Sequence, residues 1–191
     1  MIKVDEGTLA IVTGAAKGNG KAIADIIEEA GARVIRVDLL KCNKDEDSFI
    51  GEITNDGLIK NVVDYCSKQN YKTLVLINNA GVTFPNDYPY PKSDWDNTIA
   101  VNLSAPFKWI EAFIPLFKEV KNASIINITS LGAELAFPNN PAYIASKGGL
   151  KMLTKFYAKS LGGYGVRVNN VGPGYIVTDM TKGSYAKQVT K

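Results

Sequence analysis

Histidine is absent from all 191 residues. Neither a Ser-His-Asp triad nor a histidine-held zinc can be built from such a chain, which removes the commonest hydrolase mechanisms. Cysteine is scarce. Cys42 and Cys66 are the only two, and their separation matches neither metal-ligand nor redox spacing. Reduced thiols in a cytoplasmic protein, with no metal site, are the expectation. There is no apolar run long enough to span a bilayer and no signal-peptide pattern. Like charge never collects into a block. The 22 basic and 19 acidic residues leave a net charge of +3 spread along the chain, which argues against nucleic acid or a membrane as partner. Repeats and low-complexity linkers are missing too. What is present is ordinary globular material, 46% hydrophobic and 21% charged, and a single domain over 1–191 accounts for it.

Apolar runs and helical patterns alternate along this chain. Strands are expected at 9–12, 33–38, 49–53, 73–77, 124–129 and 166–171. The run at 73–77 is apolar throughout, as in a strand buried on both faces of a parallel sheet. After the first strand, Ala22, Ile23, Ile26, Ile27 and Ala30 are expected on the inner face of a helix, which Gly31 ends. A second helix is expected over 55–69. A long one follows from a cap at Ser93 toward Val120, kinked or irregular because Pro106 and Pro115 interrupt it. Asn102 lies in its apolar middle and must find partners there. A last helix runs from about 141 to 161. The fold class expected is α/β: a Rossmann-type, doubly wound parallel sheet with helices on both faces and ligands beyond the carboxyl ends of the strands.

The first strand runs at once into Thr-Gly-Ala-Ala-Lys-Gly-Asn-Gly, residues 13–20. Strand, glycine-rich turn and helix together form a context for a nucleotide, because glycines let backbone approach a pyrophosphate and a helix N-terminus offers free N–H groups. Asp38 ends the second strand 18 residues after Gly20, near the spacing at which a carboxylate receives an adenosine ribose. There it would repel a 2′-phosphate and favour NAD over NADP, whereas Lys17 in the turn pulls the other way. Asp38 as a plain turn residue remains the alternative.

Residues 130–147 hold the chemistry-bearing pattern. Ser130 closes a strand, a loop with two prolines follows, and a helix then carries Tyr143 and Lys147. Four residues apart on a helix, the two side chains share a face. At about 4 Å and an effective dielectric near 20, their attraction of about 4 kcal/mol could lower a phenol toward 7. Such a tyrosine can act as a general acid–base on an alcohol or carbonyl. The spacing alone decides little, because with nine tyrosines about one such pair arises by chance. Tyr88 and Lys92 form a second pair, but Pro89 and Pro91 between them forbid a regular helix.

Taken together, the glycine turn, Asp38, Asn-Asn-Ala-Gly at 78–81, Asn102, Ser130, Tyr143 with Lys147, and Pro-Gly-Tyr-Ile-Val-Thr at 173–178 resemble the short-chain dehydrogenase/reductases over essentially the whole chain. The resemblance implies an NAD(P)-dependent oxidoreductase acting on a secondary alcohol or ketone. Tyr143 would be the general acid/base, and Ser130 would hydrogen-bond the reacting oxygen. Lys147 would lower the tyrosine pKa and hold the nicotinamide ribose, and Asn102 would extend a proton relay to it. Gly14, Gly18 and Gly20 would cradle the pyrophosphate, with Lys17 and Asn19 beside it. Asn79, Ala80 and Gly81 would flank the adenosine half. Pro173, Gly174, Ile176 and Thr178 would also bind cofactor, Thr178 at the carboxamide. A homodimer or homotetramer through the helices near 94–120 and 141–161 is implied as well. Asn19 departs from the apolar residue usual before the third glycine. The family also continues for several dozen residues more, so the chain is expected to be C-terminally incomplete, with a substrate lid starting in the polar tail at 182–191. The rival reading is an inert dinucleotide-binding protein that keeps the fold.

Overall fold

The computed structural model describes residues 4–42 and 47–178, so the polar tail and the expected start of a lid lie outside the described residues. Six strands, β1 (Thr8–Thr13), β2 (Arg33–Asp38), β3 (Ser48–Ile50), β4 (Thr73–Asn78), β5 (Asn122–Ile128) and β6 (Val166–Val171), form one sheet in the order β3-β2-β1-β4-β5-β6. Every pairing is parallel, with Leu9 opposite both Arg33 and Leu74, and Ile77 opposite Ile126. The strand order reverses between β1 and β4, where a doubly wound sheet opens a crevice beyond its carboxyl ends. β3 is shorter than the expected 49–53, because the chain turns at Gly51 with φ of +159°.

The helices are α1 (Gly18–Glu29), α2 (Asp56–Cys66), α3 (Lys92–Ile99), α4 (Ala105–Glu119) and α5 (Pro141–Leu161). One face of the sheet is the larger core. Leu9, Ile11, Leu74, Leu76 and Ile125 pack there against Ile59 and Val62 of α2, Trp109, Phe113 and Phe117 of α4, and Tyr157 and Leu161 of α5. Fully buried, the Trp109 indole Nε1–H donates to the Ile53 carbonyl at 2.9 Å and ties α4 to the turn after β3. On the other face α1 packs against Ala10, Val12 and Val34.

Two local expectations need correcting. Ala22 and Ile26 face solvent on α1, while Gly20 and Ala24 are its buried residues. The smallest side chains, one turn apart, let the helix axis approach β1 closely, and that proximity outweighs the pull of a larger apolar face. Ser93 does not cap α3, which begins at Lys92 after Pro91 with no side-chain cap. The irregularity expected in the long helix is present as a π-helical turn, Ala100–Ser104, joining α3 to α4. Pro106 has no N–H for the carbonyl of Asn102, and the Ala105 N–H bonds instead to the Ala100 carbonyl five residues back.

Candidate active site

The glycine turn is built by close approach. Gly14 and Gly18 have φ of +68° and +56°, in the left-handed region. A Cβ on Gly20 would lie 1.9 Å from the Gly14 carbonyl oxygen and 2.4 Å from Asn79 Nδ2, so only glycine fits. From the far side of the crevice, the Asn79 amide donates to the carbonyls of Thr13 (2.9 Å) and Gly14 (3.2 Å). The Thr13 hydroxyl accepts from the N–H groups of Asn79 and Ala80. Asn79 and Ala80 therefore lock the end of β4 to the turn. The α1 N-terminus has no side-chain cap and no acid in its first turn, which suits an anion. Lys17 precedes it, exposed, and Asn19 is half-buried.

Asp38 sits across the turn. Its Oδ2 accepts from Ala16 N–H at 2.9 Å and its Oδ1 from Leu40 N–H at 3.0 Å, so it organises the glycine turn and the turn that follows β2. Thr178 reaches the same place from the opposite edge of the site. Its Cγ2 lies 3.7 Å from where a Gly18 Cβ would be. Pro173 is anchored through its carbonyl, which accepts from Leu131 N–H at 2.9 Å, whereas Gly174 and Ile176 are exposed.

Beyond β5, Ser130 adopts extended backbone, and its Oγ accepts from Gly132 N–H at 3.0 Å at the head of a short 3-10 turn, Leu131–Ala133. The Ser130 hydroxyl faces the Tyr143 phenol and favours its ionised form. One turn along α5, Lys147 is buried, its ammonium 5.8 Å from the centroid of the Tyr143 ring and donating to the Ile128 carbonyl at 2.8 Å. A Cβ on Gly81 would meet Asn102 Oδ1 at 3.3 Å and Lys147 Nζ at 3.5 Å, so these three residues converge. Asn102, fully buried in the π-helical turn, accepts from Val82 N–H at 2.8 Å and donates to the Val82 carbonyl at 2.9 Å and to Ser146 Oγ at 3.2 Å. Tyr88 and Lys92 have no such setting. Tyr88 is exposed, and Lys92 pairs with Asp96 on α3.

The electrostatics differ from expectation. Burial holds the Tyr143 phenol above its ordinary value of 10.0, and the Ser130 hydroxyl beside it opposes this only in part. Burial also pushes the Lys147 ammonium down to about 8. The phenol is thus not drawn toward 7 by Lys147. Desolvation disfavours the charged form of each group, and the ammonium spends a hydrogen bond on the Ile128 carbonyl.

A glycine turn, an ordered Ser-Tyr-Lys cluster and the 3-2-1-4-5-6 sheet together define a family, and a family model described as short chain dehydrogenase matches residues 8–189. The chain belongs to the short-chain dehydrogenases. A 3-oxoacyl-[acyl-carrier-protein] reductase of Thermotoga maritima is 36% identical over 190 residues, covering 93% of this chain and 77% of that protein. Among solved structures, an aldohexose dehydrogenase of Thermoplasma acidophilum in ligand-free form superposes with a TM-score of 0.87 at 28% identity, covering 96% of this chain and 72% of that one. A Beutenbergia cavernae protein assigned as an NAD(P)-dependent gluconate 5-dehydrogenase, with NADP bound at low occupancy, gives 0.87 at 27% identity over 96% and 78%. NAD(P)-dependent oxidoreduction is the chemistry of short-chain dehydrogenases, and among the described residues no helix is long and apolar enough to cross a membrane.

Sequence reasoning missed the polar chain beneath the site. Asn78 Nδ2 donates to Asn127 Oδ1, Asn127 Nδ2 to Thr154 Oγ1, and the Thr154 hydroxyl to the Leu150 carbonyl, all buried. It stitches β4, β5 and α5 together. The polar residues at alternate strand ends were its only signal. A second missed feature is a clasp between the loops flanking the site: Asn86 N–H donates to the Asn139 carbonyl at 2.9 Å, and Asn140 Nδ2 to Thr83 Oγ1 at 2.7 Å.

Proposed function

We propose that this short-chain dehydrogenase moves hydride between NAD and a secondary alcohol or ketone, with Tyr143 as general acid/base. The observation that carries the reading is the buried Lys147 ammonium set 5.8 Å from the Tyr143 ring and converging with Asn102 on Gly81, with Ser130 facing the phenol. The residues fit a dinucleotide. Gly14, Gly18 and Gly20 leave bare backbone at an uncapped helix N-terminus, where a pyrophosphate would be held. Asp38 would receive the adenosine ribose and disfavour a 2′-phosphate, and Lys147 would hold the nicotinamide ribose. Gly81 and Thr178 border the same crevice. When bound, the nicotinamide supplies the hydride for reduction or accepts it in oxidation.

In reduction, the Tyr143 phenol, protonated at neutral pH and kept so more firmly by burial, donates its proton to the carbonyl oxygen. Ser130 holds that oxygen by a hydrogen bond. In oxidation Tyr143 takes the hydroxyl proton, with Lys147 on the same face of α5 5.8 Å from its ring. Asn102 keeps Val82 in place beside Lys147, at the start of a route by which the proton would be exchanged with water. A second copy of this chain would pack across the apolar groove of about 570 Å³ between α4 and α5, lined by Leu103, Phe107, Met152 and Phe156, giving a homodimer or homotetramer. A cytoplasmic location agrees with two free, buried cysteines.

The experiment is a fluorescence titration with NADH and NADPH followed by an assay of neutral and charged alcohols and ketones. Tyr143→Phe is expected to keep cofactor binding and lose roughly a thousandfold or more in kcat, within the range for general acid–base groups. The unaltered protein is expected to bind NADH more tightly than NADPH, and the reverse order would overturn the assignment of Asp38. Cofactor binding with no turnover on any substrate would instead favour the inert reading.

A further inference from the structure

Beside Tyr143 runs a wall of aromatic rings. A Cβ on Gly132 would lie 3.1 Å from Ile144 Cδ1, 3.3 Å from Tyr143 Cε1 and 3.4 Å from Phe137 Cε2, so three side chains crowd one bare stretch of backbone. Phe137 in turn meets Tyr175 edge to face, with ring centroids 6.2 Å apart at 61°. Both arms of the wall are held from behind. Leu131 N–H donates to the Pro173 carbonyl and Gly132 N–H to Ser130 Oγ. Tyr175 leaves 48% of its surface open, and Leu135 and Ile176, on the two loops that form this rim, are exposed as well.

The same rim offers little to an anion. Residues 82–92, 131–142 and 172–178 carry three charged side chains, Asp87, Lys92 and Glu134. Each is engaged: Asp87 accepts from Asn139 Nδ2, Lys92 pairs with Asp96, and Glu134 with Lys151. At the reacting centre, the Lys147 ammonium already donates to the Ile128 carbonyl. A carboxylate or phosphate brought onto this wall would shed water without a cation among the described rim residues left to replace it. An uncharged ring loses little by the same transfer and gains ring contacts.

We propose that the cleft takes an uncharged cyclic secondary alcohol or ketone, whose ring lies against Phe137 and Tyr175 while its oxygen meets Ser130 and Tyr143. This rests on the oxidoreductase reading above. The test compares uncharged cyclohexanones and cyclohexanols with acyclic ketones of similar size, some neutral and some bearing a carboxylate. The wild-type chain and the Phe137→Leu and Tyr175→Ala variants are assayed, with NADH binding reporting that each variant is folded. Expected is a kcat/KM at least about tenfold higher for the neutral rings than for carboxylate-bearing ketones. In each variant the KM for the ring substrate should rise roughly three- to tenfold relative to that for the neutral acyclic ketone, the size of a lost ring contact. A preference for the carboxylate-bearing ketone, or an equal rise in both KM values, overturns the inference and leaves the oxidoreductase reading standing. Failure to turn over any member of the panel, with cofactor bound, overturns both.

Discussion

A Cβ at position 20 would overlap the carbonyl of Gly14, and no side-chain rotation relieves a clash with backbone. Position 147 poses the opposite case, a residue that the fold tolerates at a cost. The Lys147 ammonium falls from 10.5 to about 8 through burial. At about 1.4 kcal/mol per unit, that shift is a penalty on the order of 3 kcal/mol on the charged form. The sign follows from proton binding. Between about 8 and 10.5 the unfolded chain holds more protons at this lysine than the folded one, so this residue's contribution to stability rises with pH across that window. Lys147→Met is therefore expected to raise stability near pH 7 by about 1–3 kcal/mol, the lost bond to Ile128 offsetting part of the gain, while activity falls. Urea denaturation from pH 7 to 10.5 checks this. The expected gain shrinks as pH rises, and a constant or growing gain would contradict the burial account. Tyr143 and Lys147 were legible as a pair because helix periodicity places them on one face. Their electrostatics were not, because desolvation depends on what α5 packs against.

The π-helical turn Ala100–Ser104 shows what an element adds to its residues. Pro106 made an irregularity foreseeable, but its form follows from which carbonyl loses a donor. The wider turn carries Asn102 into contact with Val82 of the β4 loop and Ser146 of α5. Replacing Asn102 by the similarly sized leucine leaves the Val82 N–H and carbonyl without those partners. Each orphaned group costs about 1–3 kcal/mol when buried, and the Val82 groups are only partly so. Asn102→Leu is expected to lower unfolding free energy by about 1–3 kcal/mol in urea titrations. A loss below about 0.5 kcal/mol would mean that Val82 finds other partners and that the turn is not held through Asn102. α1 teaches a related lesson. Its hydrophobic periodicity pointed to Ile26, yet Gly20 and Ala24 face the sheet, because the glycine turn sets how closely and at what rotation the helix can start.

Across the whole molecule, the larger core lies on the side of α2, α4 and α5, and its outer helices leave Phe107, Met152 and Phe156 exposed around one groove. Two copies meeting there would bury that apolar surface, with a driving force of about 25 cal/mol per Å² covered. Phe156→Glu is expected to weaken self-association, because a carboxylate buried opposite its symmetry mate is strongly disfavoured. Sedimentation velocity at matched concentrations would show the variant at monomer mass with its helical circular dichroism retained. An unchanged mass in the variant would place the assembly surface elsewhere.

Strand count, strand direction, the glycine turn and the shared helix face of Tyr143 and Lys147 were legible in the sequence alone. These rest on local periodicity, on glycine's freedom at positive φ, and on continuous apolar runs that only a sheet covered on both faces can hold. Tertiary structure decided which polar groups meet. The Asn78–Asn127–Thr154 chain, the grip of Asn79 on Gly14 and the meeting of Phe137 with Tyr175 each join residues from separate elements. No spacing rule spans such distances along the chain. Their encounter is set by parallel register and by the closeness with which small residues let helices approach the sheet.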